Sequence, residues 1–278
     1  MSNSEWRLLC VFVTCAESEI VSDYLWSRGV VAIEEINHGD QCELRTSYGD
    51  EVGQLARDVA LAFPEATVSV ADAQRDIADT WRDFAEPINV DSTLRIVPSW
   101  HVEETPAGCV DILIDPEDVF GLGNHPTTIG ALQIARKHIP THSSLFDYGS
   151  GSGVLAIAMA KTHRCDAAVY DIADNAEDVI TRNARRNNIE LVWRTPHLDS
   201  QTEEIFHKYD AVLANILAPV LREIAPSIRA MTRIDSLIVL SGMREEQWET
   251  VWPYYTWCDV VDQRVNEGWL SVCLQVID

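Results

Sequence analysis

Three glycines at alternate positions follow a carboxylate in the stretch "LFDYGSGSGVLAIAMA", residues 145–160. Asp147 lies two residues before Gly149, and Gly151 and Gly153 complete the run. A strand, then Gly-x-Gly-x-Gly, then a helix is the pattern of a nucleotide-cofactor loop. Glycine adopts positive φ freely and lets backbone approach a ligand closely. A dinucleotide loop requires GxGxxG, and the sixth position here is Val154. A pyrophosphate is doubly anionic, and Asp147 would repel it. S-adenosylmethionine has no phosphate and carries an ammonium and a sulfonium. The acid at this turn therefore favours S-adenosylmethionine over NAD, by direct contact or through water.

Other polar side chains fall where strand ends present ligands in open α/β sheets. Asp171 ends "AAVYD", and its carboxylate can accept hydrogen bonds from both ribose hydroxyls. Asn215 ends "YDAVLAN". Its amide oxygen can accept an N–H from an amine nucleophile, or it simply closes an Asn turn. In "NHPTTIGAL", Pro126 suits a first helical turn, with Asn124 or His125 as its cap. Thr127 and Thr128 then offer hydroxyls and free amides at a helix N-terminus, able to hold a carboxylate or a ribose. His125 reads as a structural cap more than as a general base. The eight histidines show no metal-ligand spacing, so no metal is expected. No Ser-His-Asp arrangement is visible.

The elements that must position these residues fall into two parts. Residues 6–14, 17–29, 30–36, 41–47, 50–63 and 66–72 read in the order β-α-β-β-α-β, that of a ferredoxin-like module. This part, residues 1–72, carries 13 Asp and Glu against four Arg. Residues 73–90, with "RDIADTWRDFAEPI", read as a linker helix. From residue 91 to 278 apolar strands ("SLFDYG", "AAVYDI", "YDAVLANI", "SLIVLSG") alternate with helices, which implies a parallel sheet with crossovers. The closing segments "TWCDVVDQRVNEG" and "WLSVCLQVI" read as an antiparallel edge hairpin.

Composition narrows the classes. With 278 residues, 46% of them hydrophobic, the chain can bury a sizeable core. Its net charge of −23 disfavours direct nucleic-acid binding, which needs Lys and Arg, and suits a cationic partner. No apolar run reaches the ~18 residues of a membrane span, so no membrane partner is expected. "MSNSEWRLLCVFV" lacks a signal-peptide pattern. The seven cysteines are scattered without a CxxC pair, which suggests a reducing cytoplasm.

The segment "DPEDVFGLGNHPTTIGAL", residues 115–132, resembles the signature DPGxAFGTGxHPTT of the ribosomal protein L-eleven methyltransferase family, PrmA. "WRDFAEPINVDSTLRIVPSW", "LFDYGSGSGVLAIAMAK", "YDAVLANILAPVLREIAP" and "LIVLSGM" match in the same order. The resemblance covers residues 75–273 well and residues 1–72 by pattern only. It implies a class I (Rossmann-like) methyltransferase domain preceded by a small α+β ferredoxin-like domain that captures the protein substrate. By motif match, Thr128, Gly149, Asp171 and Asn215 fall where the family contacts its cofactor, and Asn215 also borders the amine pocket. The sequence departs from the pattern at Leu122 and Asn124, where the family usually has threonine or another small residue, at Ser150, where cysteine is common, and at Ala173 and Asp174, where a second acid and a proline are usual.

The leading expectation is a monomeric protein N-methyltransferase that acts on lysine or N-terminal amines of a basic ribosomal protein. Its cofactor set is Thr128, Asp147, Gly149, Gly151, Asp171 and Asn215, and Asn215 is the catalytic candidate. A methyltransferase of another protein or of a small amine, and a non-catalytic S-adenosylmethionine-binding module, are the alternatives.

Overall fold

The computed structural model describes residues 7–28, 30, 33–47, 52–72, 85–101, 104–115, 125–196 and 208–278. The chain divides into two compact units, Met1–Ala85 and Glu86–Asp278.

In the first unit, β1 (Arg7–Thr14), α1 (Ser18–Ser27), β2 (Glu34–His38), β3 (Gln41–Ser47), α2 (Val52–Ala62) and β4 (Thr67–Asp72) follow the expected order. The sheet runs β2-β3-β1-β4 with every neighbouring pair antiparallel. Apolar residues alternate along β1, so Leu9, Val11 and Val13 share one face. They pack with Val21 and Leu25 of α1 and with Val52, Leu55 and Val59 of α2. The second strand starts at Glu34, later than the apolar run suggested, because the His38–Gln41 pairing places the turn. The expected linker helix lies mostly outside the described residues. Its last stretch is extended, with Ile88–Asn89 forming β5.

In the second unit, β6 (Leu94–Pro98) pairs antiparallel with β5 and parallel with β7 (Val110–Ile114). Then come α3 (Pro126–His138), β8 (Ser144–Tyr148), α4 (Val154–His163), β9 (Asp166–Tyr170), α5 (Ala176–Arg186), β10 (Val192–Trp193), β11 (Tyr209–Asn215), α6 (Ala218–Ala230), β12 (Thr232–Arg244), α7 (Trp248–Val251), β13 (Cys258–Asn266) and β14 (Trp269–Val276). The seven-stranded sheet runs β10-β9-β8-β11-β12-β14-β13. Its strands are parallel except β14, which is antiparallel to both neighbours. The closing hairpin is thus not wholly an edge. β14 is buried inside the sheet, and only β13 lies at its margin.

Local sequence explains the helices. α4 is apolar nearly all round, and Val154 to Ala160 are all buried. α5 instead buries one stripe, Ala176, Val179, Ile180, Asn183 and Ala184. It carries Glu177 and Asp178 in its first turn and Arg185 and Arg186 in its last, which complements the helix dipole.

From β8 the chain moves outward to β9 and β10, then returns to β11 on the other side of β8. The carboxyl ends of β8 and β11 are therefore neighbours at a topological switch point, where such sheets bind ligands. At the opposite end, Asp210 Oδ2 accepts hydrogen bonds from Ser144 N and Ser144 Oγ, both at 2.8 Å. At the carboxyl end Ile216 is clamped between two glycines. A Cβ on Gly149 would lie 2.5 Å from Ile216 Cγ2, and one on Gly242 would lie 2.4 Å from the Ile216 carbonyl oxygen. Gly242 also has φ +88°, in the left-handed region. We expect Gly242→Ala to lower the unfolding free energy by about 2 kcal/mol or more, since both the φ and the backbone contact oppose a methyl. Denaturant titration measures this, and a wild-type midpoint would show that the strands part freely.

Candidate functional site

The turn after β8 is built on left-handed backbone, with φ +70° at Gly149, +54° at Gly151 and +84° at Gly153. Its amides are directed to acceptors within the protein. Gly149 N and Ser150 N donate to Tyr170 O at 2.9 and 3.0 Å. Gly151 N donates to Asp171 Oδ2 at 2.8 Å, and Gly153 N to Ser150 O at 2.8 Å. A pyrophosphate cradle needs such amides free, and these four are engaged.

Asp147 lies beneath the turn and is fully buried. Its Oδ2 accepts from Ser150 Oγ at 2.7 Å and from Ala156 N at 3.2 Å. Ala156 is the third residue of α4. The carboxylate thus does what an N-cap side chain does, and it takes the anion position at the positive end of the helix. Among the described residues, Oδ1 has no hydrogen-bond partner. Burial pushes the Asp147 pKa up to about 6, the bonds from Ser150 and Ala156 draw it down, and the Asp171 charge adds to the rise. A buried acid with one unpaired oxygen is stabilised by a cationic ligand and destabilised by an anionic one.

Asp171 follows β9 directly. Besides Gly151, its carboxylate accepts from Ala173 N at 3.0 Å through Oδ1. Each oxygen has one backbone donor and retains a lone pair, which fits two vicinal hydroxyls.

The third part comes from α3. His125 is its N-cap, with Nδ1 accepting from Thr127 N at 3.3 Å and lying 2.7 Å from Thr127 Oγ1. Pro126 occupies the first helical turn. The amides expected to be free are not, because Thr128 N donates to His125 O at 3.0 Å. Thr127 and Thr128 are buried, so only hydroxyl chemistry remains to them. The Thr128 hydroxyl meets the other predicted residue, accepting from Asn215 Nδ2 at 3.2 Å. That bond fixes the amide and leaves Asn215 Oδ1 as an acceptor. Leu122 and Asn124 lie outside the described residues.

Several residues escaped the sequence reading. The Trp269 ring meets the His125 imidazole edge-to-face, with centroids 4.8 Å apart, and also the Arg244 guanidinium, 4.3 Å from the ring centroid. Burial, then the Arg244 charge, lowers the His125 pKa, which favours the neutral ring that a capping acceptor requires. Ser241 Oγ is buried and donates to Thr127 O at 3.0 Å, holding α3 to the end of β12. Isolated serines inside apolar strands, as in "VLSGM" and "WLSVC", were the available signal.

Thr128 and Asn215 thus meet at the end of β11, and Gly149, Gly151 and Asp171 share the neighbouring turn. Asp147 is buried below it. The engaged amides, the positive-φ glycines and the unpaired Asp147 Oδ1 fit S-adenosylmethionine.

Comparison with known proteins agrees with this geometry. A family model described as ribosomal protein L11 methyltransferase (PrmA) matches residues 49–276. A ribosomal protein L11 methyltransferase of Neisseria gonorrhoeae is 33% identical over 95% of this chain and 97% of its own. One of Dechloromonas aromatica is 38% identical over 68% of this chain, and the match takes in 62% of that relative's length. The crystal structure of a ribosomal protein L11 methylase from Lactobacillus delbrueckii subsp. bulgaricus superposes with a TM-score of 0.63 at 25% identity, over 69% of this chain and 99% of that one. The chain belongs to the ribosomal protein L11 methyltransferase (PrmA) family.

Proposed function

We propose that this protein is an S-adenosylmethionine-dependent methyltransferase that methylates lysine side chains or the N-terminal amine of ribosomal protein L11. The observation that carries this reading is the hydrogen bond from Asn215 to Thr128, beside a glycine turn whose amide is held by Asp171. It joins, at one strand end, two residues 87 positions apart that the sequence reading had singled out separately.

S-adenosylmethionine supplies a methyl group on a sulfonium, a leaving group that needs no acid. Asp171 would hold the ribose hydroxyls, the Gly149–Gly153 turn would lie under the nucleoside, and Asp147 would favour the cationic end. The chain must then provide a neutral, aimed amine. A lysine with pKa ~10.4 is neutral in roughly one molecule in 2,500 at pH 7. Exclusion of water from the pocket lowers that pKa, since desolvation disfavours the ammonium. Asn215 Oδ1 would accept one N–H and so direct the nitrogen lone pair. Thr128 prevents the Asn215 amide from turning away. The acidic surface, including that of the first unit, would gather a basic substrate at low salt.

The direct test incubates the full chain with S-adenosylmethionine and purified ribosomal protein L11, then maps added methyl groups by mass spectrometry. Unchanged substrate mass under conditions where the cofactor binds would overturn the substrate assignment.

Three outcomes follow for single sites. Asp171→Ala loses two ribose acceptors and the anchor of Gly151 N, so S-adenosylhomocysteine binding should weaken by about 1.5–3 kcal/mol. Calorimetry giving wild-type affinity would remove the ribose role. Asn215→Ala should cut kcat at saturating cofactor by about 30- to 1,000-fold, because lost aim costs about 2–4 kcal/mol in the transition state. Normal kcat with weakened cofactor binding would reduce Asn215 to a cofactor ligand.

The third outcome concerns pH. The Asp147 pKa in the folded protein, about 6, lies above its ordinary value. The folded state therefore holds the proton more tightly than the unfolded chain does. Without ligand, this group's contribution to stability is greatest below the unfolded pKa and is lost as pH rises through about 6. A cationic ligand favours the charged form, so affinity for S-adenosylmethionine should rise from about pH 5 to about pH 7. Asp147→Asn should flatten that rise. The same slope in the variant would assign it to another group.

A further inference from the structure

The glycine turn has a second support, outside the residues that would touch cofactor. A run of three glycines is the softest backbone a chain can make, so its shape must be imposed from outside. α5 does this with two side chains one turn apart. Ile180 closes on Gly153, where an added Cβ would lie 3.2 Å from Ile180 Cγ2. Asn183, fully buried, uses all four of its hydrogen-bond positions. Its Nδ2 donates to Ser152 O at 2.9 Å and to Asp115 O at 2.8 Å. Its Oδ1 accepts from Asp115 N at 3.0 Å and from Arg186 Nη1 at 2.9 Å. The reversed amide would face its NH2 to two donors and its oxygen to two carbonyls, so the orientation is determined.

Ser152 lies between Gly151 and Gly153, in the middle of the turn. Fixing its carbonyl fixes the Ser152–Gly153 peptide, two peptides on from the Gly151 amide that holds Asp171. The same side chain binds both backbone groups of Asp115, at the end of β7.

We infer that Asn183 is a positioning residue for cofactor binding, holding the glycine turn in its binding shape and locking it to the end of β7. This rests on the reading of that turn as the S-adenosylmethionine seat.

Asn187 provides a control on the same helix face. It is buried, and its Nδ2 donates to Leu113 O at 2.7 Å and to Asn183 O at 2.9 Å. Its Oδ1 accepts from Leu113 N at 2.9 Å and from Lys161 Nζ at 3.2 Å. It is equally rich in hydrogen bonds, but none of them reaches the turn.

The experiment compares Asn183→Ser and Asn187→Ser in the full chain, by thermal midpoint and by calorimetric Kd for S-adenosylhomocysteine. Asn183→Thr, which keeps a hydroxyl donor and more of the volume, replaces the serine variant if that one does not fold. Both positions should lose stability. The Asn183 variant should raise Kd about tenfold or more, and Asn187→Ser less than about twofold. The KM for S-adenosylmethionine should follow Kd, while the KM for the protein substrate stays within about twofold. Equal losses of affinity at the two positions, or none at Asn183, would overturn the positioning role while leaving the cofactor reading intact. A wild-type chain that does not bind S-adenosylhomocysteine would remove the cofactor reading and this inference with it.

Discussion

The site depends on where one buried carboxylate sits. Asp147 takes the position at the N-terminus of α4 where a dinucleotide-binding fold admits the ligand's pyrophosphate. The helix dipole and the Ala156 amide are satisfied by the protein's own anion, and the glycine amides above it turn inward to Tyr170, Asp171 and Ser150. What remains for a ligand is the glycine turn over a fully buried acid with one unpaired oxygen among the described residues. An anionic ligand would meet repulsion with no compensating donors. A cationic one relieves the desolvation that lifts the Asp147 pKa. One side chain thereby separates two cofactor classes that share the strand-turn-helix framework.

The carboxyl ends of β8, β11 and β12 can carry this arrangement because they approach more closely than side chains allow. Gly149 and Gly242 both give way to Ile216, and Ile216 N donates to Ser241 O at 3.1 Å. Asn215, one residue earlier, is thus set by close packing on both sides, through the Ile216 side chain at Gly149 and its backbone at Gly242. α3 is drawn to the same place by Ser241 and by the edge-to-face contact of His125 with Trp269, whose ring also meets Arg244. The Thr128–Asn215 bond follows from these approaches and does not itself cause them.

The parts of the fold legible in the sequence were those with strong periodicity or steric demand. The β-α-β-β-α-β order, the alternation of strands and helices, the glycine turn and the cap at His125–Pro126 all have such signals. β7 was not recognised, since "VDILI" is short and lies among loops. The inward placement of β14 could not be read, because strand order is a non-local property and its alternation also fits an edge. The expectation of free amides at Thr127 and Thr128 failed for a related reason. A capping histidine supplies its own acceptors, and only the geometry shows that it faces back to the helix. Gly242 and Asn183 lacked any local mark, since their partners are Ile216, and Ser152 with Asp115, respectively.

The two halves of the site differ in what they ask of the sequence, and this bears on two departures from the family pattern, Ala173 and Ser150. Ala173 replaces a usual acid, yet the position contributes its backbone N–H to Asp171, which any residue except proline can do. Ser150 stands where cysteine is common, and its hydroxyl is the shorter of the two bonds to Asp147. A thiol is a weaker donor, so serine strengthens the capping of that carboxylate. The half proposed to seat the cofactor, made largely of backbone, absorbs such changes. The half proposed to face the amine has no such tolerance. It consists of one amide and one hydroxyl from separate elements, each aimed by the other, and neither an isosteric acid nor an apolar residue reproduces that pair of roles.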